Sequence, residues 1–406
     1  MSAITNWAAL KPLRNADFRV LTVVSALNSV GMMAGQVAIG WYVLQLTDSP
    51  FMVGVVMGVR LLPNLFFGIP AGAIADAVDR RHMIQVLNLL MTVPMVLLGL
   101  LVGADRTEIW QVFALVFIGG ALFPFSQTAL TSLAFDITGS AGVMYGLTLM
   151  RLAMGVGNLV GSIAIGSVMA RIGVDIAFFV LAATYAVAAV VALLIKSRGQ
   201  AAPTTSTGSA RRSLVEFIRE IRTNRSLLAL TVSTGVVEAL GFSHAVLLPS
   251  LVRDVLGMDA EGFGLISGLR NLGGLTAILF IVTAGDRLAK GLVYQVSIFL
   301  FGGLLMALAV ADHPASVMAI LIGLSAMMTL TDVLSQSLMQ LVVPNELRGR
   351  AMGSWMVAVG TGPAGSLQVG AVASAAGIGL ALSLNGLGLV VVAVGLLTVM
   401  PSMRKV

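Results

Sequence analysis

Runs of about 20 apolar residues, each closed off by charges, proline or glycine clusters, recur along almost the whole of this sequence. A run of that length, coiled as a helix, crosses the hydrocarbon core of a bilayer. Helix is also the natural form there, because it satisfies every backbone N–H and C=O without help from water. The first half carries runs at approximately 20–45, 52–74, 83–103, 110–135, 142–170 and 174–195. The second half carries them at 227–252, 261–284, 291–311, 315–342, 350–375 and 378–400. The prediction is an all-α polytopic membrane protein with twelve transmembrane helices. Composition agrees: 58% of residues are hydrophobic and only 10% are charged, against about 25% charged in an average soluble domain.

Twelve spans put both termini on one side, and the basic residues say which. Eighteen Lys and Arg fall on the side of the termini, whereas the opposite loops hold Arg106, Arg171 and Arg253. This bias predicts cytoplasmic termini and a multi-pass protein of a bacterial cytoplasmic (inner) membrane. It also accounts for the net charge of +6 without nucleic acid as a partner. The N-terminus lacks the apolar core and cleavage site of a secretory signal. With no cysteine, the chain has no disulfides, thiolate metal sites or cysteine nucleophile. Residues 196–226 form the longest polar segment. Leu214, Phe217, Ile218 and Ile221 there have helical spacing, with arginines beside them, which predicts an amphipathic tether on the inner leaflet.

The linker separates two halves, 1–195 and 227–406, that resemble each other. A shift of 210 residues lays GVVMGVR (54–60) on GLISGLR (264–270), so that Arg60 falls on Arg270. At the same offset Asp76 falls on Asp286, Gly31 on Gly241, and Asn28 on Glu238. A slightly shorter offset aligns GVGN (155–158) with GTGP (360–363).

Two six-helix halves in parallel repeat resemble the major facilitator transporters, whose substrate site lies at the repeat interface. The stretch AGAIADAVDRRHMI (71–84) resembles the family's loop between the second and third helices. Gly72, Asp76, Arg80 and Arg81 occupy its diagnostic places, while Ala77 and Asp79 replace an arginine and a glycine. Its second copy, around Asp286 and Arg287, lacks the leading glycine. NADFRVL (15–21), LTDSPFMVGVV (46–56) and VPNELRGRAMG (343–353) are similar to the branch that holds macrolide efflux proteins and the enterobactin exporter. Asn158 stands where the family's antiporter motif carries proline. The resemblance implies a latch in which the Asp76–Arg81 loop, with Asp79, Asp286 and Arg287, meets Arg348 and Arg350 at the start of the eleventh helix. Lipid-headgroup anchoring by the same arginines is the plainer alternative.

Ionisable groups inside a membrane are costly and face protein or water. Arg60, Asp136, Arg151, Glu238, Arg270 and Asp332 lie in or near the spans. Asp136 sits at a cytoplasmic end, where solvation suffices. Glu238 is about 16 Å into the seventh helix at 1.5 Å per residue. The family fold places the seventh and tenth helices on the central cavity, which makes Glu238 and Asp332 the proton-coupling candidates; a fixed ion pair is the structural alternative. Arg151 lies at the depth of Asp332, which suggests a charge pair. Arg60 and Arg270 are read first as framework charges of the repeat, with pairing to Glu238 or an anionic substrate as alternatives. Asn28, Gln36, Gln127 and His244 are the remaining cavity candidates.

These features predict a secondary transporter, an antiporter exporting a small amphipathic molecule such as a drug, macrolide-like compound, siderophore or secondary metabolite. Uptake, lysolipid flipping and a non-transporting sensor remain alternatives. There is no P-loop, and His82, His244 and His313 lack the spacing of a metalloprotease. Neither a metal, a cofactor nor an enzyme activity is expected, and the expected protein is a monomer whose partners are its small-molecule substrate, protons and lipid.

Overall fold

Asn15 starts the first long helix, its Oδ1 accepting from the backbone amides of Asp17 at 2.9 Å and Phe18 at 3.3 Å. Those are amides that a helix leaves without intrahelical acceptors. The helix they open, α1, runs Ala16–Thr47. In this computed structural model, residues 10–197, 199, 224–284, 289–343 and 348–399 are described. The amphipathic tether and the second latch residues Asp286 and Arg287 lie outside them.

The other helices follow the apolar runs. α2 comes in two pieces, Pro50–Leu61 and Pro63–Ala77, because Pro63 has no N–H to continue the ladder. α3 is Arg80–Gly103, α4 Ile109–Gly139, α5 Tyr145–Arg171 and α6 Val174–Ala192. α7 spans Arg225–Val255. α8 is broken into Ala260–Leu269 and Asn271–Ala284, α9 is Lys290–Leu308 and α10 Pro314–Leu341. α11 is Arg348–Val359 followed by Gly362–Ala376, and α12 is Ile378–Val399. Among the described residues 11 helices are long and apolar enough to cross a membrane. The twelfth run appears as the two pieces of α11, and no strand occurs among these residues. Large apolar side chains such as Leu89, Val190 and Val391 stand exposed along the helices, as a lipid solvent permits.

The chain packs into two units. One comprises Met1–Thr47, Val59–Thr205 and Met258–Gly268; the other comprises Asp48–Gly58, Ser206–Gly257 and Leu269–Val406. Each unit takes in one short segment from the opposite half of the sequence. The two segments begin 210 positions apart and end 210 positions apart, the offset of the sequence repeat. Both are held by close backbone approach. In the second unit a Cβ at Gly54 would overlap the Ser366 carbonyl oxygen, and in the first a Cβ at Gly264 would overlap that of Ser162. Small residues are what allow helices to approach this closely in lipid.

The first unit buries Phe18, Leu21, Ile84, Leu130, Leu133 and Ile195 in one cluster. The second buries Tyr294, Ile298, Phe301 and Leu305 of α9.

Candidate functional site

α7 does not stay α-helical. After Val236 it widens to a π turn over Val237–Gly241, tightens to a 3-10 stretch over Phe242–Leu247, and widens again over Leu251–Val255. The amide of Phe242 accordingly reaches back to the Val237 carbonyl. π turns inside helices concentrate at functional sites, and Glu238 sits in the first of these.

Glu238 opens into a small cleft. Thr234, Val237 and Phe242 of α7, Tyr294 of α9, and Thr331, Asp332 and Ser335 of α10 complete its walls. Asp332 Oδ1 accepts from Gln336 Nε2 at 3.1 Å. The Tyr294 hydroxyl lies 3.1 Å from Ser233 Oγ and 3.2 Å from Thr234 Oγ1. Thr331 donates to the Met327 carbonyl at 2.8 Å and Ser335 to the Asp332 carbonyl at 2.9 Å, so both hydroxyls keep their lone pairs available. Glu238 is half-buried, and among the described residues no hydrogen bond or ion pair reaches its carboxylate. The charge of Asp332 acts on it across the cleft. Two carboxylates in one poorly solvated cleft are equipped to take up a proton or another cation.

The sequence singled out both carboxylates, and the structure brings them together. The hydroxyl wall escaped it, although Thr331, Asp332 and Ser335 share one helical face and Tyr294 is a rare aromatic hydroxyl in an apolar run. Also missed was the network in which Asn385 Nδ2 donates to the Leu240 carbonyl at 2.9 Å and Gln368 Nε2 to Asn385 Oδ1 at 3.2 Å. His244 does not line the cleft. It is buried, with Nδ1 donating to the Gly241 carbonyl at 2.6 Å and its ring edge-on to Phe301.

The remaining cavity candidates belong to the first unit. Asn28 Nδ2 reaches Ser126 Oγ at 3.5 Å, and Gln127 is half-buried on α4. Gln36 instead serves Arg60: Arg60 Nη1 donates to Gln36 Oε1 at 3.3 Å and Nη2 to the Met32 carbonyl at 3.1 Å. Arg60 thus meets neutral acceptors within its own unit. Arg151 is exposed on α5 and makes no ion pair with the described residues of its unit.

Among the described residues the acidic-basic knot is an internal brace of the first unit. Arg80 is buried, its Nη1 2.6 Å from Asp136 Oδ2 and its Nε donating to the Ala75 carbonyl at 3.0 Å. The reason is local: Arg80 is the first residue of α3, and the ends of α2 and α4 lie within its reach. Asp136, expected to be merely solvated, is its partner. Asp79 caps α3 by accepting from the Arg81 amide at 2.9 Å, and Arg81 Nη1 donates to the Ile195 carbonyl at 3.4 Å. Gly72 lies in α2 with open space around its Cα. Asp76, Arg348 and Arg350 are helical, but their side chains lie outside the described residues.

Known proteins of the same kind resemble this chain throughout. The sequence profile of a family described as transmembrane secretion effectors matches residues 7–406. The staphyloferrin A transporter of Staphylococcus aureus (strain NCTC 8325 / PS 47) is 24% identical over 87% of this chain and 89% of its own. The multidrug efflux pump Tap of Mycolicibacterium fortuitum is 25% identical over 84% of this chain and 85% of its own. A point mutant of the nucleoside transporter NupG superposes with a TM-score of 0.81 at 14% identity, over 95% of this chain and 100% of that one. A bacterial homologue of the lysosomal transporter Spinster superposes with a TM-score of 0.72 at 12% identity, over 97% of each chain. Those superpositions show the shared fold. The profile match, which spans nearly the whole sequence, makes this chain a multi-pass transporter of the major facilitator superfamily, in its family of transmembrane secretion effectors.

Proposed function

We propose that this protein exports a small amphipathic compound, such as a drug or a siderophore, across a bacterial cytoplasmic membrane in exchange for protons. The observation that carries the reading is the cleft in which Glu238, on a π turn, faces Asp332 among hydroxyls. A carboxylate with no fixed cation partner can exchange a proton in each cycle, whereas one locked in an ion pair cannot do so cheaply. The relatives support the cargo class, since one carries a siderophore by name and the other is named as a multidrug efflux pump. In alternating access the proton and the cargo occupy the cleft region in turn, with both termini in the cytoplasm.

Everted membrane vesicles test this. Uptake of a drug or siderophore into the vesicles is expected to follow the imposed proton gradient and to collapse on adding an uncoupler. Glu238→Gln is expected to abolish gradient-driven flux while downhill exchange of cargo persists. Wild-type flux that ignores the uncoupler, or normal driven flux by Glu238→Gln, rejects the coupling role.

A further inference from the structure

Arg60 and Arg270 hold the same place in the repeat, but their surroundings differ. Arg60 has two neutral acceptors, Gln36 Oε1 and the Met32 carbonyl. At the 210-residue offset the counterpart of Gln36 is Val246, a buried apolar residue, so the matching position offers no side-chain acceptor. Arg270 is itself only 8% exposed. It occupies the break between the two pieces of α8, after Leu269 and before Asn271. Among the described residues no hydrogen bond or ion pair reaches its guanidinium. The titratable group that feels its charge is another base, His244, whose Nδ1 is already committed to the Gly241 carbonyl.

A guanidinium largely withdrawn from water, with no counter-charge among the described residues, is unfavourable, and intramembrane charges of this kind mark substrate or ion pathways. Its planar fork of N–H donors matches a carboxylate in bidentate fashion. We propose that Arg270 recognises the carboxylate of an anionic, amphipathic cargo. The helix break leaves that segment outside the regular ladder, where an ordinary buried arginine would have been given protein acceptors, as Arg60 was. This proposal rests on the transport reading above, but concerns cargo chemistry and not coupling.

The test is equilibrium binding to the full chain purified in a neutral detergent, with no gradient present, so that it can fail while proton coupling stands, and the reverse. The probes are 2-naphthoate and its uncharged analogue 2-naphthamide, titrated calorimetrically. Wild type is expected to bind the carboxylate about tenfold or more tightly than the amide, the size of a charge-assisted hydrogen bond. Arg270→Gln is expected to bind both alike. Equal binding by wild type, or an undiminished preference in Arg270→Gln, overturns the proposal. Should Arg270→Gln fail to purify as a monodisperse species, Arg270→Lys decides: it keeps the charge but loses the fork, so the preference is expected to shrink severalfold, and an unchanged preference overturns the assignment. Phosphatidylglycerol displacing naphthoate from wild type, and only through Arg270, would make a lipid headgroup the occupant and also overturn it.

Discussion

Charged side chains inside this protein are settled one at a time, by what stands within hydrogen-bond reach. Arg80 shows the buried, compensated case, with its cation against Asp136 at 2.6 Å. Replacing Asp136 by Asn would remove one counter-charge of that cation, and breaking a buried ion pair costs about 3 kcal/mol or more. Asp136→Asn is therefore expected to lower the thermal unfolding midpoint in detergent. The double change Arg80→Met with Asp136→Leu is expected to restore most of the loss, because it removes both charges together. An Asp136→Asn protein that melts like wild type would show that the pair carries no stability. Read along the chain, Asp136 has only a solvated role, because it closes an apolar run at a membrane edge. Its partner is 56 positions away in sequence, and only packing brings α3 and α4 together.

At the scale of the element, the breaks carry more information than the helices. α4 and α5 would be one continuous rod but for Gly139, whose φ is 66° and ψ 173°. A side chain there meets no other atom, so the cost of Gly139→Ala would come from the backbone alone. That region of φ/ψ is held almost only by glycine and costs other residues about 1–3 kcal/mol. Gly139→Ala is expected to reduce stability by that amount, and Gly139→Ser by the same amount despite its larger side chain. A clearly larger loss for Ser would mean that space, not φ, is limiting. Apolar run lengths foretold the helices, whereas the break of α2 at Pro63 falls inside a run, 52–74, that reads as continuous along the sequence. The first π turn of α7 lacks even the local signal of a proline, since none falls in Val237–Gly241; it lies where Gly365 of α11 approaches Ala239 too closely for a side chain.

At the scale of the whole molecule, the sequence repeat reappears in how each unit is assembled. The exchanged segments of the two units share the 210-residue offset of the sequence repeat, and each is seated on a close backbone contact of the same type. Orientation in the membrane belongs to this scale as well, and the chain offers a clean way to measure it because it contains no cysteine. In intact cells, Asp105→Cys is expected to react with a membrane-impermeant maleimide, whereas Lys196→Cys is expected to react only after the membrane is opened. The reverse pattern would invert the topology inferred from the basic residues.

Apolar run lengths, the charge bias and the internal repeat determined, from sequence alone, a twelve-run helical membrane protein with two similar halves and two membrane carboxylates worth attention, while its resemblance to a transporter family pointed to transport. Those properties depend on one-dimensional quantities: how long a helix must be to cross lipid, and where charge can remain solvated. Tertiary structure decided which charges are braced and which are open. It gave Arg60 two neutral acceptors, left Arg270 without one among the described residues, tied Arg80 to Asp136, and set Glu238 opposite Asp332 on a π turn. Each of these depends on a contact between segments far apart in the chain, where a few tenths of an ångström in helix approach determine whether a hydrogen bond forms.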